Sequence, residues 1–538
     1  LQNMEVRMKL NGILSRILGA MLALVTVSVF ASQALADAKM GGALNVTSIS
    51  KWRTLNPAVQ SGSATGIPGS QIFAGLLRVD ESFEPQPYLA EKWEVSEDGL
   101  RVTFHLRKAA TFHDGQPITS ADVAFSLGVS KANHPFGSTM FGTVEAVETP
   151  DAHTAVFVLS APTPALFASL QPLLMPILPK HIYDDGQEMK THPRNNENVI
   201  GSGPFIVVEH KTGEQLILDR NPNFFIEGRP YLDRILISSS RNSATQVLGL
   251  DRGELHYYPF AFLPDNDLKR LAKNESITVA TEGHEALGPI AYLELNLRND
   301  LFKDVRVRQA IAYAIDSEVM SSLLGLGYEP AISMVHNGSP YYNGATNAYA
   351  ADLTKAAALL DEAGLKVGGD GVRFSFALDM PTYAPERQAI ISEFIKQELR
   401  KIGIEVVLRK SPDFGAWVKR VAGWEHDATI SGIWGYSDPV IGIHRLFVCE
   451  NIRNVIWSNT QGYCNETVDE VLATAGTSMD TSIRLAGYKR FQEIIADELP
   501  LIPLVTAPTT TVHRASVKNV PIHGWGALSP WDEIYLEE

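Results

Sequence analysis

The sequence predicts an α/β protein of more than one lobe, its lobes assembled from segments that are not contiguous in the chain. Three observations predict it. At 538 residues the chain exceeds what one hydrophobic core organises. With 45% hydrophobic and 20% charged residues, it has the composition of a globular protein rather than a disordered or membrane-embedded one. Its texture runs from strand-rich, through a Gly-Pro transition at 199–203, to alternating helix and strand after about 290, then back to extended chain. A chain that returns in this way crosses between lobes more than once, which makes a hinge able to close on a ligand.

The elements follow in order. Gly41 to Ser50 is a β-leaning opening strand, broken by the turn at Arg53 to Pro57. Gln71 to Val79 is a short amphipathic helix or a helix-to-strand passage. Val102, Phe104 and Leu106 alternate with polar residues, as in a half-buried strand, and Thr154 to Leu159 is another strand after a turn signal. His113-Asp114-Gly115 is a turn leading to a helix near Ala121. Beyond the crossing at Ile200 to Phe205, Gln215 to Asp219 and Tyr231 to Ser238 are strands. Asp304 caps a helix running from Val305 towards Leu324, with Arg306 and Arg308 on its solvated face. Asp352 caps a second helix, with Leu353, Ala357 and Leu360 inward and Gly364 as its stop. Ile391, Phe394, Ile395, Leu399 and Ile402 form the stripe of a third, ended by Gly403; flanked by Arg373–Leu378 and Ile404–Leu408, it makes a βαβ unit. Tyr488, Phe491, Ile494 and Ile495 line a last helix stopped by Pro500, and Leu501 to Val512 is extended.

Charge and the ends of the chain narrow the function. The formal net charge is −15; residues 1–36 hold Arg7, Lys9 and Arg16 against Glu5, a surplus of two, which leaves −17 for residues 37–538. An acidic surface without a basic run argues against nucleic acid and anionic lipid as partners. The basic start, the apolar run Ile17 to Phe30 and the small-x-small Ala34-Leu35-Ala36 predict a secretory signal peptide over 1–36, cleaved near Ala36. No later run is long enough for a membrane span, so a soluble, exported, monomeric protein is expected. Cys449 and Cys464 are the only cysteines, and in an oxidising compartment one disulfide closing a short loop is their natural reading. None of the 14 histidines has another within four residues, so neither a metal nor another cofactor is expected.

Candidate chemistry concentrates at Ile430 to Asn465. Trp434, Tyr436 and Trp457 supply aromatic walls, Gly432, Gly435 and Ser437 allow close approach, and Asp438 precedes a proline. Arg445 sits among Ile441, Ile443, Leu446 and Phe447, and a buried arginine needs either a protein carboxylate or an anionic ligand group. A core-lining loop stapled by a disulfide is the plainer reading of the same stretch. Phosphate-loop, nucleophile-elbow and zinc-protease motifs are all missing. Ser48-x-x-Lys51, Lys211-Thr212-Gly213 and Ser240-x-Asn242 match the three elements of penicilloyl-serine enzymes, but their order is wrong and Ser48 sits in a strand-like segment.

Eight stretches in series carry a resemblance: Leu55-Asn56-Pro57; Ile72 to Leu76; Pro87 to Glu91 with Trp93; Phe112 to Gly115 with Ala121 to Val123; Gly201 to Phe205; Arg220 to Pro222; Val307 to Ala310 with Ala314 to Asp316; and Leu359 to Gly364. In that order the sequence resembles the extracytoplasmic solute-binding proteins of the peptide/nickel type, family 5, which serve ABC importers. The resemblance implies a three-lobed, periplasmic-binding-protein type II-like fold with a hinge-closing cleft. It puts a discontinuous lobe I at 37–79, 199–285 and 500–538, an inserted lobe II at 80–198, and lobe III at 286–499. It implies a periplasmic protein that captures a small solute between lobes I and III and delivers it to an inner-membrane permease, without catalysis. The cysteines look like a disulfide of dipeptide-binding relatives. Trp434 matches a tryptophan of peptide-binding relatives, but Tyr436 and Ser437 replace the acid that pairs with a peptide's α-amino group. Trp434 and Tyr436 are then expected to stack on the ligand, with Ser437 beside them. Asp438 is expected to accept from a ligand cation, Arg445 to clamp a carboxylate, and Trp52 to face them from lobe I. The rival classes are a secreted serine hydrolase and a ligand-sensing receptor using the same cleft.

Overall fold

The computed structural model describes residues 39–48, 51–240, 242–281, 285–346, 348–522 and 524–537, so the expected signal peptide lies outside the described residues. Three large sheets define three lobes. The first sheet has seven strands in the order Ile277–Ala280, Thr511–Arg514, Tyr257–Tyr258, Ala43–Ser48, Arg234–Ser239, Gln215–Arg220 and Phe205–Lys211. Its members come from the beginning, middle and end of the chain, which makes lobe I discontinuous. Lobe II is an antiparallel four-stranded sheet, Ala90–Val95, Arg101–Leu106, Thr154–Leu159 and Val144–Asp151, covered by the helix Ser120–Asn133. Its strand Arg101–Leu106 buries alternate residues, as the period of two requires. Lobe III is built on six strands, ordered Glu329–Pro330, Leu501–Thr506, Ile290–Leu295, Ala428–Ile433, Phe374–Met380 and Ile404–Lys410. The last two pair in parallel across the helix Pro385–Arg400, the expected βαβ unit.

Packing ties two lobes together. One continuous core holds Leu44, Val46 and Ile235 of lobe I with Phe104, Phe112 and Phe157 of lobe II, and it also takes in Tyr436 and Ile441 of lobe III. The glycines of the 201–203 crossing are a steric necessity. A Cβ at Gly201 would stand 2.0 Å from the Ile72 carbonyl oxygen, and one at Gly203 2.6 Å from the Ile72 carbonyl carbon. His113 locks the crossing from the lobe II side: the Gly201 N–H donates to Nδ1 at 3.1 Å, and Nε2 donates to the Gly203 carbonyl at 3.1 Å. The His-Asp-Gly stretch is thus a structural clamp, with Gly115 at φ 84° closing the turn.

Three local expectations need correction. The helix after Asp304 is two helices, Val305–Ala314 and Ser317–Leu324, because the Asp316 carboxylate accepts from the Glu318 and Val319 N–H groups and starts a new one. Arg308 is buried rather than solvated, donating to the carbonyls of Phe302, Lys303, Glu498 and Leu499. Leu353 points to solvent, while Ala356 and Leu360 carry the inward face.

Cys449 and Cys464 are bonded. The bond closes a loop with a sequence separation of 15, which by chain entropy is worth about 3 kcal/mol. Replacing both cysteines with serine is expected to lower the urea midpoint by the equivalent of that figure without changing the far-ultraviolet spectrum. An unshifted midpoint would mean that the unfolded loop is already restricted.

Candidate functional site

The strand Ala428–Ile433 lies inside the lobe III sheet, antiparallel to Ile290–Leu295, with Ile433 opposite Ile290. Trp434 therefore leaves the sheet next to the segment that enters lobe III from lobe I. The loop is hydrogen-bonded to that segment, Gly435 N–H to the Leu287 carbonyl at 2.5 Å and Ser437 N–H to the Ala286 carbonyl. Tyr436 and Ser437 both adopt left-handed backbone, φ 54° and 60°. Two non-glycine residues in succession there cost roughly 1 kcal/mol or more each. The sharp return is tight: a Cβ at Gly442 would stand 2.4 Å from the Trp434 carbonyl oxygen.

Aromatic rings from all three lobes meet at this loop. Trp434 stacks on Phe260 of lobe I, centroids 5.9 Å apart and planes 22° apart. Tyr436 lies against Trp434 at 5.9 Å, Trp525 of lobe I at 5.9 Å and Phe136 of lobe II at 5.5 Å. Tyr436 is 3% exposed and Trp434 half-buried. The Trp525 indole N–H is buried with no acceptor among the described residues.

Arg445 is 4% exposed. Its Nε donates to the Gly442 carbonyl at 3.1 Å and its Nη1 to the Trp457 carbonyl at 2.9 Å, and its guanidinium carbon lies 4.2 Å from the centre of the Phe136 ring. No carboxylate pairs with it among the described residues, and burial lowers its pKa despite the nearby phenols of Tyr436 and Tyr292. Of the two partners a buried arginine calls for, a protein carboxylate is not supplied among the described residues.

Two sequence-predicted site residues fall elsewhere. Asp438 does not offer a free carboxylate to the cleft. Oδ1 accepts from the Val440 N–H at 3.0 Å, capping the turn Pro439–Gly442, and Oδ2 accepts from Arg484 Nη2 at 2.7 Å in a buried ion pair. It is the structural acid of the Asp-Pro turn. Trp52 is 1% exposed, and its Nε1 donates to His210 Nε2 at 2.8 Å, so the core of lobe I consumes it. Ser437 turns its hydroxyl back onto the Tyr436 carbonyl at 2.6 Å. The residues missed from sequence are His134, Phe136, Phe260 and Trp525, for which no local pattern exists.

The three serine-enzyme patterns do come to one end of the lobe I sheet, since Ser48 pairs with Ser239 and a Cβ on Gly213 would lie 3.3 Å from Lys51 Cβ. Ser48 is nevertheless a strand residue 4% exposed, and Lys211 is tied to Glu209 at 3.0 Å. Among the described residues no group of three histidine, cysteine or acidic side chains is placed to hold a metal, and no helix is long and apolar enough to cross a membrane.

Discontinuous lobes crossed by the chain more than once, with an aromatic-lined junction between them, define the class of solute-binding proteins. The signature of the bacterial extracellular solute-binding proteins, family 5 Middle, matches residues 84–454, and the chain belongs to that family. It is 26% identical over 464 residues to the dipeptide-binding protein of Escherichia coli strain K12, covering 82% of this chain and 84% of that one. Among solved structures, the Bacillus subtilis oligopeptide-binding protein AppA in complex with a nonapeptide is similar with a TM-score of 0.81 at 25% identity, covering 93% of this chain and all of that one (100%). The binding protein AgaA of A. tumefaciens R10 with agropinic acid is similar with a TM-score of 0.78 at 25% identity, over 92% of this chain and 99% of that one.

Proposed function

We propose that the protein is the periplasmic receptor of an ABC importer, capturing a peptide or other small amino-acid-derived solute and delivering it to the membrane permease without catalysing a reaction. The observation that carries this reading is the meeting of Trp434 and Tyr436 with Phe260, Trp525 and Phe136, one ring cluster drawn from all three lobes. A solute placed at a junction lined from several lobes has more to touch when the lobes are together, and that differential contact lets it favour the closed state. Lobe I would comprise 37–79, 199–285 and 500–538, lobe II 80–198 and lobe III 286–499. Relatives with peptide and opine-type ligands support a solute carrying amino-acid groups. Secretion through a signal peptide over 1–36 and a monomeric state belong to the same proposal.

The test is calorimetric titration of solute-stripped protein with a panel of di- and oligopeptides, opines and metal chelates, joined to uptake assays in a strain lacking the gene. Saturable binding of one class, with loss of its uptake in the deletion strain, is expected. Binding with unimpaired uptake would favour the sensing receptor; hydrolysis of a panel member would favour the serine enzyme. Trp434→Ala is expected to weaken the bound solute by roughly 30-fold, the scale of an aromatic anchor worth about 2 kcal/mol. Unchanged affinity would remove Trp434 from the ligand wall.

A further inference from the structure

Two groups at the three-lobe junction are left without the partner their chemistry demands. The first is Arg445, 4% exposed, with Nε and Nη1 donating to carbonyls and no acid paired with it among the described residues. The second is His134 of lobe II, 5% exposed. The Phe136 N–H donates to its Nδ1 at 3.1 Å, so the neutral ring carries its proton on Nε2. That Nε2 is buried and has no partner among the described residues. Burial, and then the Arg445 charge, hold the ring neutral, with a pKa down at about 3.

Both groups lie against one ring. The Arg445 guanidinium carbon is 4.2 Å from the Phe136 centroid, and the His134 ring is 5.2 Å from it. The Phe136 face does not settle the debt of burial. A desolvated cation–π contact is worth about 2 kcal/mol, whereas an uncompensated buried ion costs several. A water molecule would satisfy the imidazole N–H and leave the charge standing. A carboxylate, singly charged and with two acceptor oxygens, has the chemistry to answer both a guanidinium and an imidazole N–H.

We propose that Arg445 of lobe III and His134 of lobe II together form a carboxylate-binding site, so that lobe II is a third wall of the solute cleft and a determinant of its selectivity for acids. The proposal rests on the reading of this junction as the solute site. It assigns lobe II a contact with ligand, and it explains why Phe136 bridges the arginine and Tyr436.

The test uses the full mature chain, unfolded and refolded to remove bound solute, melted with sodium succinate and with neutral succinamide at matched ionic strength. Succinate is expected to raise Tm saturably and succinamide not at all. Arg445→Gln is expected to abolish the rise. His134→Asn, whose side-chain oxygen can still accept from the Phe136 N–H, is expected to weaken succinate at least tenfold while folding normally, so the proposal stays testable if the arginine variant does not fold. No saturable rise, or the same rise in His134→Asn, overturns it. Peptide or opine binding without any succinate effect overturns this site and leaves the receptor reading intact; a succinate effect without binding of any panel solute does the reverse.

Discussion

Asp438→Asn is expected to lower the unfolding free energy by about 3–5 kcal/mol, the cost of stranding one member of a buried ion pair. Asparagine keeps the oxygen that caps Val440, so the loss isolates the charge on Oδ2. Its partner, Arg484, is 5% exposed, donates through Nε to the Ala475 carbonyl at 3.1 Å, and lies over Tyr341 and Tyr488. Burial pulls that guanidinium's pKa down, but the Asp438 charge and the two phenols outweigh it and the pKa is raised. The pair ties the long helix Thr481–Glu498 to the turn that follows the Trp434 loop. Solute affinity should therefore fall with stability, because the loop loses its far anchor. Arg484→Met combined with Asp438→Asn should recover part of the loss, since no uncompensated charge then remains; a double variant as unstable as the sum of the singles would show that the two residues act independently.

The second large effect concerns acid. Burial holds His113 near 4, and His134 and His444 near 3, with the Arg484 charge adding to the depression at His444. In the unfolded chain these rings titrate at about 6.5. Between those values the unfolded state binds more protons than the folded one. The stability they confer is thus complete above pH 6.5 and is lost as pH falls towards 4. Each ring contributes a slope of about 1.4 kcal/mol per pH unit in that window. Urea midpoints at pH 7.5, 6, 5 and 4.5 should show a steepening loss, and a flat profile from 7.5 to 5 would contradict the buried neutral state of all three. His444→Phe should reduce the slope by one ring's share while lowering stability at pH 7.5, because the Tyr488 hydroxyl, 3.1 Å from Nε2, loses its partner.

Most of the scaffold is legible in the chain. Alternation identifies Arg101–Leu106, and the apolar stripe with its glycine stop identifies Pro385–Arg400. Several of the recurring stretches prove to be joints. Asn56 holds Asn195 at 2.8 Å, Asn221 holds the Gly203 carbonyl at 3.0 Å, and His113 clamps the crossing. The break at Ile315–Asp316 is hidden by a continuous apolar run, although the Asp-Ser-Glu that restarts the helix is a capping pattern. The site is only half legible. Trp434, Tyr436 and Arg445 stand out because aromatic and cationic residues cluster in one loop. His134, Phe136, Phe260 and Trp525 reach that loop only through tertiary packing, so nothing in their own neighbourhoods marks them. Asp438 and Trp52 mislead because a polar or aromatic residue near a site has the same appearance whether it faces the ligand or holds the wall behind it.

The strand Thr511–Arg514 lies within the lobe I sheet, flanked by Ile277–Ala280 and Tyr257–Tyr258. On a ribosome, that sheet stays open until residue 514 has been made, however long ago its first strand emerged. Until then Tyr257–Tyr258 and Ile277–Ala280 lack the strand that joins them.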